Sequence, residues 1–139
     1  MKKLFPFLLL AILFTVNSAF TANQDKKEKA IYAFGVSASF SDTLVYFTSV
    51  QQLPGAKLDK KGFLEDRALY GYELKDFLSQ IGMMHRTNII FFDLDKSKLQ
   101  KKLNKLQTKY LQNKTEIQIL EETEFKFTNL EPSQEATAQ

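Results

Sequence analysis

The stretch TNIIFFDLDKSKLQKKLNKLQTKYLQNKTEIQIL, residues 87–120, changes its hydrophobic period twice, and those changes decide the fold. Ile89 to Phe92 form an apolar run of strand length, the pattern of a central strand covered on both faces. Asp95 then stands where a short acceptor side chain caps a helix. Beyond it Leu99, Leu103, Leu106, Tyr110 and Leu111 recur at helical spacing and line one side. Asn113 and Lys114 end that helix. The period then shortens to two: Ile117 and Ile119 alternate, and Phe125 and Phe127 in "EFKFTNL" predict further strand material beyond Glu121-Glu122. Residues 87–120 therefore predict a strand–helix–strand crossover, right-handed if its strands are parallel in one sheet.

Upstream, "YAFGVSASFSDTLVYFT" (residues 32–48) alternates. Tyr32, Phe34, Val36, Ala38 and Phe40 share one face of an extended strand, while Ala33, Gly35, Ser37, Ser39 and Ser41 share the other. Ser41-Asp42 reads as a tight turn into a second strand, Thr43 to Gln52, giving a β-hairpin. The serine side reads as the polar or thinly covered face. "LPGAKLDKKG" is a loop, punctuated by Pro54, Gly55 and Gly62. From Phe63 to Ile81 the spacing is helical through Tyr70, Leu74, Phe77, Leu78 and Ile81, with Gly82 placed to close it. Gly71 weakens this run and predicts a break between a first short turn and the main helix. The predicted fold class is α+β: a single small domain whose mixed sheet, a β-hairpin plus a βαβ crossover, carries two main helices packed on it.

The ends of the chain speak to location. Lys2 and Lys3, an apolar run from Leu4 to Val16, and small and polar residues from Asn17 to Ala22 have the three parts of a secretory signal. Ser18, Ala19 and Ala22 are each candidates for the last residue removed, although Phe20 sits badly before a cut after Ala22, and residues 1–22 are expected to be a signal peptide. Its apolar part is shorter than the ~20 residues of a spanning helix; an uncleaved anchor counted through to Ala22 is the alternative. Residues 23–29 read as a flexible lead-in, 30–130 as the domain and 131–139 as a solvated tail. Removal of the leader leaves about 117 residues, enough for one domain that buries roughly two-thirds of its unfolded surface. The chain has 19 Lys and Arg against 16 Asp and Glu; without Lys2 and Lys3 the balance is 17 against 16. The basic excess therefore belongs partly to the leader and gives no ground for nucleic-acid binding. With no cysteine, the chain has neither disulfides nor a thiol for a lipid anchor. The expected location is periplasmic or secreted.

Several constellations invite a chemical reading. "IIFFDLDKS" (residues 89–97) looks like the way haloacid dehalogenase-type phosphatases present a nucleophilic carboxylate and a second acid, here Asp93 and Asp95. Lys96 and Ser97 depart from that motif, however, and too little chain follows to supply the rest of the site. Asp93 at a strand end and Asp95 as a cap is the reading kept. His85 is the one histidine. Alone and without cysteines it excludes the usual zinc sites, so no metal or cofactor is expected. It could serve as a general base with Asp42 or Asp66. Arg67 and Arg86, the only arginines, could grip an anion or form structural ion pairs. Ser37 has only the first of the two flanking glycines of a nucleophile elbow, Gly35, and Ser39 and Ser41 have neither. The helix after Asp95 carries Lys96, Lys98, Lys101, Lys102, Lys105 and Lys109, a 96–109 face able to touch anionic surfaces weakly.

The leader, "YAFGVSASFSDTLVYFTSVQ", the "RALYGYELKDFL" helix and "RTNIIFF" followed by a lysine-rich helix resemble small exported proteins of unknown function from Bacteroidetes-type bacteria. The resemblance spans Ala30 to Leu130 and implies an envelope location; it implies no reaction and no catalytic residue. The expectation is a non-catalytic binding module whose partner is an envelope protein or other envelope component. Arg67, His85 and Arg86 are its candidate binding residues. The alternative is a small hydrolase of anionic substrates built on His85 and a nearby acid.

Overall fold

The computed structural model describes residues 29–128. The predicted leader, most of the lead-in, residues 129–130 and the tail lie outside the described residues. The elements run β1 (Tyr32–Ala38), β2 (Leu44–Thr48), β3 (Gln51–Gln52), α1 (Arg67–Gln80), β4 (Thr87–Asp93), α2 (Lys96–Gln112) and β5 (Glu116–Leu120). They form one five-stranded mixed sheet with two helices, the α+β domain that the patterning predicts.

β1 is the centre of the sheet. It pairs antiparallel with β4 along its whole length, from Tyr32↔Asp93 to Ala38↔Thr87. Its other side is shared by β2 (Val36↔Phe47) and β3 (Ala33↔Gln51), both antiparallel. The register slips by one residue between these two pairings, so β2 and β3 are one strand interrupted by a bulge. The bulge takes Gly35 out of the ladder on the β2–β3 side, and its N–H donates instead to Thr48 Oγ1 at 2.8 Å. β5 pairs parallel with β2, Leu44↔Glu116 through Thr48↔Leu120. β4 and β5 thus run parallel, as the crossover requires, but with β1 and β2 between them. The apolar run 89–92 is therefore an edge strand and not a central one. It reads as central because both helices cover its faces.

α2 covers one face of the sheet, where Phe34, Val36, Val45 and Phe47 pack on Leu99 and Leu103. Asp95 caps this helix, its carboxylate accepting from the Lys98 N–H at 3.2 Å. α1 covers the other face with Tyr70, Leu74 and Leu78 against Ala33, Tyr46 and Ile90. Here the serine side of β1 departs from expectation. Ser37 is fully buried, and so are Ala33 and Gly35. These residues are small because α1 lies directly on them: a Cβ on Gly35 would stand 2.7 Å from Leu74 Cδ2. Smallness, and not polarity, is what that face selects.

Several local expectations also differ. The helical pattern from Phe63 becomes helix only at Arg67, and α1 runs unbroken through Gly71. Gly82 closes it with φ +86. The hairpin turn spans residues 39–43, so Phe40 leaves the strand and is fully exposed. Leu111, at the end of the predicted helix stripe, is exposed as well. Residues 125–128 are not a strand. Phe125 and Phe127 are nonetheless buried on the α1 side, held by the side chain of Gln51. Its Nε2 donates to the Phe125 carbonyl at 2.8 Å, and its Oε1 accepts from the Phe127 N–H at 3.0 Å. One amide side chain does the work of a pair of ladder bonds.

Candidate functional site

The fold separates the three candidate residues. Arg86 begins the approach to β4, and its side chain is only 2% exposed. Nε donates to Ser37 Oγ at 3.1 Å, while Nη2 donates to the carbonyls of Ser37 and Leu44. Nη1 meets both carboxylate oxygens of Asp42, at 3.1 and 3.3 Å. The guanidinium also lies 5.1 Å from the centroid of the Tyr46 ring. With its nitrogens so engaged, Arg86 is a strap that ties the hairpin loop to β4. It has no free donor face for a ligand.

His85 is exposed, has φ +59, and makes no hydrogen bond or ion pair among the described residues. Asp42 is committed to Arg86 and to the Leu44 N–H. Asp66 precedes α1 whereas His85 follows it, so about 21 Å of helix separates them. A histidine, an arginine and an acid do not converge. Among the described residues there is also no group of three His, Asp or Glu side chains placed to hold a metal ion.

Arg67, at the start of α1, reaches across to β4. Its Nε and Nη2 both donate to the Ile90 carbonyl, the former at 2.9 Å, and its guanidinium sits 5.5 Å from the Phe92 ring centroid. That contact reveals the polarity of the edge. Among the described residues β4 pairs only with β1, and Ile90 turns its carbonyl away from β1 to meet Arg67. By the alternation of an antiparallel ladder, Asn88 and Phe92 turn their backbone groups outward too.

Beside this open edge lies a groove of about 450 Å³, lined on the helix side by Arg67, Ala68, Gly71, Tyr72 and Lys75 and on the strand side by Asn88, Ile89 and Ile90. Residues 68, 71, 72 and 75 are one helix stripe, so the two small members, Ala68 and Gly71, create the depression. Gly71 approaches β4 without crowding it: a Cβ there would be 4.0 Å from Ile90 Cγ1. Packing therefore gives no reason for a glycine, which costs a helix interior about 1 kcal/mol. Asn88 contributes a second oddity. Its side-chain oxygen is buried and has no hydrogen-bond partner, a kind of atom that native structures rarely leave unpaired. Tyr72 and Ile89 are exposed large apolar side chains along the same groove.

Of the three sequence candidates, only Arg67 belongs to this groove. The signal that could have found its other members was present as Gly71, a helix breaker with no role at its own level. No family model matches the chain, and no curated protein or solved structure matches it either.

Proposed function

We propose that this chain is an exported, non-catalytic binding module of the cell envelope, periplasmic or secreted, that accepts an extended segment of a partner protein along the β4 edge. The observation that carries the reading is the seven-residue edge of β4, open along a groove that α1 keeps clear with Ala68 and Gly71. An extended segment laid there would continue the sheet through backbone hydrogen bonds, each worth about 0.5–1.5 kcal/mol net. Alternate side chains would drop into the groove, the recognition mode of strand addition. Arg67 holds the edge in the unbound protein by satisfying the Ile90 carbonyl. Once a partner N–H takes that carbonyl, Arg67 is free to pair with a carboxylate, and Lys75 offers a second positive charge in the same groove. The partner segment should therefore be extended, apolar at alternate positions and acidic. The export part rests on the leader pattern of residues 1–22.

The test is selection of displayed random twelve-residue peptides on the immobilised chain from Asn23 onward, followed by hydrogen exchange with the best binder. The reading expects affinity on the order of micromolar, an alternating apolar and acidic consensus, and slowed exchange at Asn88, Ile90 and Phe92. It also expects loss of binding in Gly71→Leu. Binders that protect other amides, or that bind Gly71→Leu equally well, would refute it.

A further inference from the structure

A different surface lies at one end of the sheet. β1 runs toward that end and β4 starts from it, so the hairpin loop 39–43 and the connection 81–86 meet there. β5 starts opposite Leu44, so the end of α2 and residues 113–115 arrive at the same place. Among the described residues, the three most exposed large apolar side chains are Phe40 at 105%, Leu111 at 61% and Met84 at 59%. All three stand at this end, Phe40 on the hairpin loop, Met84 on the connection into β4 and Leu111 in the last turn of α2, and half-exposed Ile81 joins them.

Phe40 is held out, not left loose. Ser39 Oγ accepts from the Ser41 N–H at 3.1 Å, and the following Asp42 is fixed by Arg86 from beneath. The charges nearby are Lys109 and Lys114, with exposed His85, against Glu116; Asp76 lies about one turn below the end of α1. The Asp42 carboxylate is already answered by Arg86. α2 itself carries six lysines and no acid, and none of those lysines forms an ion pair among the described residues.

We propose that this end is a docking tip for an anionic lipid bilayer. Phe40, Met84 and Leu111 enter the headgroup boundary while Lys109 and Lys114 meet anionic headgroups. The apolar side chains project from two connections and the end of α2 and do not line a hollow, which suits a deformable bilayer. The basic end of α2 supplies charge complementarity. In this placement only the last turns of α2 approach the surface. Lys98 and Lys101 lie about 12–17 Å along the helix from Lys109, beyond the ~8 Å screening length of physiological salt.

The experiment is cosedimentation of the chain from Asn23 onward with vesicles of equal parts phosphatidylglycerol and phosphatidylcholine, at low and physiological salt, with pure phosphatidylcholine vesicles as reference. The proposal expects binding to the mixed vesicles. Phe40→Ser with Met84→Ser should weaken it at least about tenfold. Lys109→Glu with Lys114→Glu should abolish it at physiological salt, whereas Lys98→Glu with Lys101→Glu should stay within about twofold of the parent. Circular dichroism confirms that each variant is folded, since every altered side chain is at the surface. Equal binding to both vesicle types, no effect of the Phe40 and Met84 pair, or equal losses from the two lysine pairs would each overturn the proposal. So would absence of vesicle binding together with a dimer that the Phe40 change dissolves, which would make the tip a contact between copies of the chain.

Discussion

Replacing Arg86 by methionine removes a buried cation while keeping much of its length and apolar contact. Four acceptors lose their donor: Ser37 Oγ, the carbonyls of Ser37 and Leu44, and the Asp42 carboxylate. Ser37 is fully buried, so its hydroxyl has no easy route to water. A buried group stranded in this way costs about 1–3 kcal/mol, and breaking a buried pair from one side typically costs about 3–5 kcal/mol. For a domain of this size that range corresponds to a fall in melting temperature on the order of 20 °C. Asp42→Asn is the matched control. Asp42 is 43% exposed, so its half of the pair is screened. The asparagine can still accept from the Leu44 N–H, and Arg86 keeps Ser37 and Leu44. That change should cost about 1 kcal/mol and shrink at high salt. Urea unfolding followed by circular dichroism reads both. The reasoning is refuted if Arg86→Met lies within about 1 kcal/mol of the parent, because the guanidinium would then not be a strap.

Other changes probe the rest of the molecule. Gly71→Ala should raise stability by about 0.5–1 kcal/mol in thermal unfolding, since the helix gains and the added methyl meets only ordinary contact; a loss of stability would mean that packing needs the glycine after all. Gly35→Ala, by contrast, drives a methyl into Leu74 and should cost about 1–3 kcal/mol by the same measurement. Gln51→Leu should cost about 2–4 kcal/mol and speed amide exchange at Phe127 ahead of global unfolding, because both bonds to residues 125–127 go with the amide. Tyr70 has its pKa raised by burial first, then by the charges of Glu73 and Asp66. Its contribution to stability is therefore complete below the unfolded tyrosine pKa of about 10 and is lost as pH climbs toward the raised folded value. Melting temperature measured across that alkaline range should fall more steeply in the parent than in Tyr70→Phe.

The fold was legible where the physics is local. Alternation marked β1 and β2, Asp95 marked the start of α2, and Gly82 marked the end of α1. Strand position was not legible, because a strand sandwiched between two helices reads the same at the edge as at the centre. Nor were the polar contacts that link distant parts of the chain. Gln51 holds Phe125 across 74 residues, and Arg86 finds Ser37 across 49. No period encodes such pairings. The serines of β1 misled for a related reason, since a small side chain beneath a helix looks the same in sequence as a polar one facing water. The site followed the same division. Arg86 drew notice for its scarcity and proved structural, whereas Gly71 drew notice as a flaw in a helix and proved to be a wall of the groove.

The two sheet edges show why the groove deserves a partner reading. β5 presents Glu116 and Gln118, both exposed, so a charge and a polar amide stand on that edge. β4 carries Ile89, Ile90, Phe91 and Phe92 in a row, and its one charge, Asp93, stands at the end of the strand. Long apolar edges invite pairing with other chains, and proteins ordinarily blunt them within the strand itself. Here the blunting comes from outside the strand, through Arg67 on the Ile90 carbonyl. A guard of that kind can be withdrawn by rotating one side chain, whereas a proline or an inward charge cannot. The sheet thus keeps a pairing-competent strand at an edge that α1 also declines to fill.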